Sequence, residues 1–139
     1  MAIVVEIPGE PVAKGRARST TKGHHYTPEK TRTKEGIIAA LSFQAMAGLP
    51  PLAGPIKITF QAIMSIPQSW SAKKREAAIS GLLPPTKRPD LDNLVKLATD
   101  GMNGIVWGDD SQITKMVAEK VYGYHPKTIV TVTPIGEGE

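Results

Sequence analysis

The sequence predicts a single-domain fold of mixed α/β (α+β) class, in which helices pack on one β-sheet. Three observations carry that expectation. Short apolar stretches of strand character stand near both ends and in the middle of the chain. Two longer stretches repeat apolar residues at helical spacing. The 139 residues, 40% of them hydrophobic, suffice for one modest core. The domain is expected to span 1–139, with 135–139 as a frayed tail.

Residues 3–7 (IVVEI) read as a short buried strand closed by Pro8 and Gly9. From Glu10 to Tyr26 the chain is basic and loop-like. Thr27 and Pro28 then open a helix, the first as N-cap and the second at the first helical position. Ile37, Ile38, Leu41, Ala45 and Met46 recur at helical spacing until Gly48 and Pro50-Pro51 end the run. Residues 56–64 alternate as a half-buried strand, with Ile56, Ile58, Phe60 and Ala62 on one face. Ser71 caps a short charged helix that stops at Gly81. The stretch LLPPTKRP is an extended connector, because each proline restricts the residue before it.

Residues 90–102 form the second well-marked helix, with Leu91, Leu94, Val95, Ala98 and Met102 as its apolar stripe. Glycines at 101, 104 and 108 end the helix and break up the segment beyond it. Two closing strands, about 112–122 and 127–134, turn between Gly123 and Pro126. There is no internal repeat and no low-complexity tract.

Charge is divided along the chain. Residues 1–88 carry 13 Lys/Arg against 5 Glu, a net of +8, and residues 89–139 carry 4 Lys against 8 Asp/Glu, a net of −4. All five aspartates, Asp90, Asp92, Asp100, Asp109 and Asp110, fall in one short stretch. A basic half suits a polyanion, while an acidic cluster repels it unless cations intervene. Nucleic acid and metal ions together satisfy both halves. The absence of cysteine rules out thiolate metal sites and disulfides and suits a reducing compartment. No apolar run has the length of a membrane span, and Glu6 and Pro8 interrupt any signal-like start. The expectation is a cytoplasmic protein with no membrane partner and no small-molecule organic cofactor.

On the helix at 90–102, Asp92, Lys96, Asp100 and Asn103 share one stripe at about 100° per residue. Asp92 and Lys96 stand i, i+4 with the acid first, the favourable order for an ion pair. Asp90 lies just before the helix, as its N-cap or as a carboxylate turned toward a bound ion. Asp109 and Asp110 follow Trp107-Gly108 in a turn, and a chain reversal there can return them to the helix start. An EF-hand fits poorly, because Leu94 and Val95 stand where a ligand and the loop glycine belong and no Glu stands at loop position 12. His24, His25 and His125 lack zinc spacing. Oxygen ligands alone favour magnesium, with manganese as a substitute.

The segment RPDLDNLVKLATDGMNGIVWGDDSQI resembles the signature of RusA-type Holliday junction resolvases of bacteria and their phages. IPGEPVAKGRARST, followed by YTPEKT, is similar to the N-terminal part of phage-type members. The likeness spans about residues 5–125. It implies a RusA-like fold and a magnesium-dependent endodeoxyribonuclease acting on four-way DNA junctions as a homodimer. It also implies Asp90, Asp92 and Asp110 as essential acids and metal ligands, with Lys96 assisting. Asp109 is the alternative ligand of the second pair, and Asp100 is a lesser candidate.

Phosphate contacts are expected from Lys14, Arg16, Arg18, Lys22, Lys30, Arg32 and Lys34, and from Lys87 and Arg88. Lys73, Lys74 and Arg75 add a further basic set. Tyr26, Trp70 and Trp107 offer rings for stacking on exposed bases, with core packing the favoured fate of Trp107. Three rival readings stand beside the junction resolvase. One is a broader nuclease of branched or flap DNA. Another is a non-catalytic basic DNA-binding module, in which the aspartates only cap, turn and pair. The third is an RNA nuclease, which the same chemistry would serve.

Overall fold

The computed structural model describes residues 1–14, 18–19, 25–26 and 29–136, with backbone alone for 18–19, 25–26 and 29–31. In chain order the elements are β1 (Ile3–Pro8), β2 (Arg18–Ser19), β3 (His25–Tyr26), α1 (Glu29–Met46), β4 (Ile56–Ser65), α2 (Ala72–Ile79), α3 (Leu91–Met102), β5 (Ile113–Gly123) and β6 (Lys127–Pro134). A 3₁₀ turn, Asp110–Gln112, precedes β5. This is the α+β architecture expected, one mixed sheet with helices on it. The expected N-cap pair Thr27-Pro28 lies outside the described residues.

The main sheet runs β1-β6-β4-β5. β6 pairs antiparallel with both β1 and β4, and β4 pairs parallel with β5. The turn at Tyr124–Pro126 therefore does not make a hairpin. It carries the chain past the end of β4, so that β5 and β6 flank it on either side.

Alternation decides which face is covered. Ile3, Val5 and Ile7, Ile56, Ile58, Phe60 and Ala62, and Val130 and Val132 are all buried on one face. α1 and α3 pack on that face and against each other, α1 over β1 and α3 over β5. The opposite face stays open, with Val4 and Val117 about half exposed.

Helix facing departs from the expected stripes in two places. On α1 the buried line is Ile38, Ser42 and Met46, while Ile37 is 43% exposed. The Ser42 hydroxyl donates to Ile38 O at 2.7 Å, which lets a polar side chain sit in the core. On α3, Leu97 joins Leu94, Ala98 and Met102 inside, because the helix is covered by α1 as well as by the sheet. Ser71 caps α2 as expected, its hydroxyl accepting from Lys74 N at 3.2 Å. The basic stretch read as loop contains the two-residue ladder β2–β3, too short to leave a periodic signal. No helix among the described residues is long and apolar enough to cross a membrane.

Candidate active site

Asp90 occupies the N-cap position of α3 with extended backbone (φ −69°, ψ 141°), yet its side chain makes no capping hydrogen bond. A capping Asp would accept from a backbone N–H of the first turn. This one leaves its carboxylate at the rim of a cleft of about 500 Å³, lined by Ala13, Lys14, Arg88, Pro89, Asp90 and Asn93. Asp92, in the first turn of the helix, is exposed. The cleft walls are fixed from both sides. Lys14 N–H donates to Asn93 O at 3.1 Å. Lys120 of β5 donates its ammonium to Lys87 O at 2.9 Å and Pro89 O at 3.0 Å, holding the connector that carries Arg88.

Lys96 does not pair with Asp92, contrary to the helical-spacing argument. Its ammonium lies 3.2 Å from Asp100 Oδ1, one turn onward. Asp100 also receives the ammonium of Lys14, which in turn lies 3.4 Å from Glu35 Oε1 on α1. A partly buried carboxylate between two ammoniums competes better for Lys96 than an exposed one at the helix start. Burial is the largest single influence on Asp100 and pushes its carboxyl up. Hydrogen bonds from Lys14 and Lys96, with their charges, outweigh it and hold the carboxyl below the ordinary value. The hydrogen bond to Asp100 raises the Lys14 ammonium against its own burial, with help from the charges of Asp100 and Glu35.

The second acidic pair is built differently. Asp109 caps the 3₁₀ turn, accepting from Ser111 N at 2.9 Å. Hydrogen bonds from Ser111 hold its carboxyl below the ordinary range. Asp110 Oδ1 accepts from the indole Nε1 of Trp107 at 2.9 Å, and Trp107 is fully buried, in keeping with the core packing expected of it. Gln112 locks the turn. Its amide oxygen accepts from Gly108 N at 2.8 Å and Asp109 N at 2.9 Å, and its amide nitrogen donates to Leu52 O and Gly54 O. Gln112 went unnoticed in the sequence, although Asp109-Asp110-Ser111-Gln112 carries the capping-box pattern that signals it.

The chain reversal after α3 does not return this pair to the helix start. Asn103 and Trp107 form a bridge at the C-terminal end of α3, and the Trp107–Asp110 bond keeps Asp110 there. Twelve helical residues separate the two ends of α3, about 18 Å at 1.5 Å per residue. Asp90 and Asp92 thus lie at one end and Asp110 at the other.

The expected phosphate contacts are spread more widely. Arg88 lines the cleft and Lys87 is exposed beside it. Lys14 lines it too, with its ammonium engaged by Asp100. Arg32 is exposed on α1, and Lys34 donates to Pro8 O at 3.4 Å. Lys30 and Arg18 are described by backbone alone, on α1 and β2. Arg16 and Lys22 lie outside the described residues. Trp70 is partly exposed, with the Lys74 ammonium 4.0 Å from its ring centroid and Tyr122 edge-on at 5.4 Å.

The sequence matches a known family over most of the chain. The family model described as Endodeoxyribonuclease RusA covers residues 8–133. The chain belongs to the RusA endodeoxyribonuclease family. A RusA-family chain cuts within DNA strands, so the non-catalytic module is set aside. The chain is also similar to the Bacillus subtilis (strain 168) protein named Uncharacterized protein YqaN, at 33% identity over 132 residues, 91% of this chain and 92% of that one.

Magnesium, implied by the resemblance, meets suitable donor chemistry here, since every candidate ligand is a carboxylate oxygen. Among the described residues no three His, Cys, Asp or Glu side chains come together to hold an ion.

Proposed function

We propose that this RusA-family enzyme resolves four-way DNA junctions by paired symmetric nicks, as a magnesium-dependent homodimer serving recombination and repair in the cytoplasm of a bacterial or phage-infected cell. The uncapped Asp90 carboxylate at the rim of a cleft shared with Arg88 carries the reading. Arg88 binds a backbone phosphate there, where bidentate geometry suits a guanidinium. Asp90 and Asp92 stand beside it to attract a cation. Lys96, 58% exposed, swings to the phosphate and offsets charge developing on it.

The division of the carboxylates between the two ends of α3 supports a dimer. β5 is an edge strand of the sheet, with Met116 and Val117 exposed, and an open edge of this length invites a further strand. Antiparallel pairing of two copies about Val117 sets Lys115 opposite Glu119 twice. Registers centred on Met116 or Ala118 set Lys115 opposite Val117 or Val121 and lose both charge pairs. In the Val117 register the start of one β5 lies beside the end of the other. The Asp110 end of one copy then approaches the end of the other where Lys120 holds Pro89, next to Asp90 and Asp92. A two-fold pair also presents two equivalent sites to the symmetric arms of a junction.

Nicking of a fixed four-way junction, a flap and a duplex, with and without magnesium, by wild type and Asp92→Asn, tests the reading. Junction nicking is expected to exceed the others and to vanish in Asp92→Asn. A flap cut as readily as the junction would replace it with a general branched-DNA nuclease.

A further inference from the structure

Behind the cleft, charged groups from three parts of the fold converge on one ammonium. Lys14 comes from the loop after β1, Glu35 from α1 and Asp100 from α3. Their meeting depends on Gly101. A Cβ there would lie 2.7 Å from Ile38 Cγ2 and 3.2 Å from Glu35 O, so only glycine lets α1 approach closely enough for Glu35 and Asp100 to share a partner. Lys14 is held to α3 at two points. Its N–H bonds to Asn93 O, and its ammonium reaches Asp100, about two helical turns further on. The side chain therefore lies along the helix as a strap, and the Ala13–Lys14 backbone becomes one wall of the cleft beside Asp90.

We propose that Lys14 is a positioning residue and not a phosphate contact: strapped along α3 between Asn93 and Asp100, it fixes the wall of the cleft into which the DNA backbone binds. This rests on the junction-nuclease reading for its substrate, though not for the strap itself. An ammonium already shared by two carboxylates has little charge left to offer a phosphate. In the cleft that Lys14 shares with Arg88, a fixed wall determines whether there is width for a phosphodiester.

The two roles predict opposite signs at Asp100. If Lys14 touches phosphate, Asp100→Asn removes a negative charge near a polyanion and tightens binding, and Lys14→Met lowers the salt slope by about one. If Lys14 is a strap, Asp100→Asn and Lys14→Met each weaken junction binding by roughly tenfold. The double variant is then no weaker than either single one, the salt slope is unchanged, and Lys14→Arg retains most of the affinity. Turnover of Lys14→Met at saturating junction stays within about twofold of wild type, because the strap acts on binding and not on the reacting atoms. Lys14→Gln repeats the comparison without altering a helix. Amide exchange at Lys14 gives a second reading independent of DNA, faster in Asp100→Asn than in wild type. Binding of Asp100→Asn as tight as wild type, or unchanged exchange at Lys14, overturns the proposal. A wild type that fails to bind a junction counts against the substrate, and the exchange measurement then decides the strap alone.

Discussion

Asp110 Oδ1 accepts the only N–H of the Trp107 side chain, at 2.9 Å, and Trp107 is fully buried. A candidate catalytic acid is therefore also the hydrogen-bond partner of the largest core side chain. Asp110→Ala strands that donor and is expected to cost about 1–3 kcal/mol of stability. Asp110→Asn keeps an acceptor oxygen and is expected to cost under about 1 kcal/mol. Both should abolish nicking. Urea unfolding beside a junction assay separates the two roles, and equal destabilisation by both variants would refute the structural one.

The Lys14–Asp100 pair makes stability depend on pH at both extremes. The Asp100 carboxyl is held below its ordinary 3.8, so its contribution is present above that value and is lost as pH falls through the lower folded value. The Lys14 ammonium is held above its ordinary 10.5, so its contribution is present below that value and is lost as pH rises through the higher folded value. Asp100→Asn is expected to destabilise by about 1 kcal/mol near neutral pH, by less as pH falls below 3.8, and by almost nothing once the folded carboxyl is protonated. Unfolding free energies of both proteins across that range provide the check. A difference that persists in acid would point to packing, not charge.

Lys96 offers a cleaner separation of chemistry from stability. Its side chain is 58% exposed and its ion pair with Asp100 is a surface one, so Lys96→Met should shift stability by less than about 1 kcal/mol. Nicking at saturating junction should nevertheless fall by about 10–100-fold. An unaffected nicking rate would return Lys96 to the role of a solvated helix charge.

The β5 edge makes a charge-swap prediction. Lys115→Glu and Glu119→Lys should each weaken the dimer by placing like charges opposite one another, and the double variant should restore it. Lys115→Glu leaves the Gln61–Glu119 hydrogen bond of 2.9 Å within the chain intact, so its effect reports on association. Sedimentation at a few concentrations measures it. A dimer indifferent to all three variants would move the interface elsewhere.

Much of the architecture was legible in local sequence. β4, α2, α3 and β6 lie where periodicity and caps placed them, because each has a sharp end signal such as Ser71 or Gly81. Strand order was not legible. The turn at Tyr124–Pro126 looks the same whether its flanking strands pair or straddle a third, and only the pairing of β4 along both edges decides. At the site, the spacing of Asp92 and Lys96 gave the right reach and the wrong partner. Asp100 outcompetes Asp92 because α1 and the loop after β1 bury it, a tertiary effect outside any helical wheel. The same limit applies to Asp110, whose position depends on the buried indole of Trp107.

β6 is the strand that joins β1 to β4, and it lies in the last part of the described chain. Ile3 meets Val132 across that junction, so every element from β1 to β6 must exist before those two strands can pair. Contacts of such long sequence separation slow folding, since loop closure precedes any reward. During synthesis both edges of β4 must wait for their partner strands, β5 and β6, which arrive only after α3. A chain released early, even one containing every acidic residue of the site, has no sheet on which to present them.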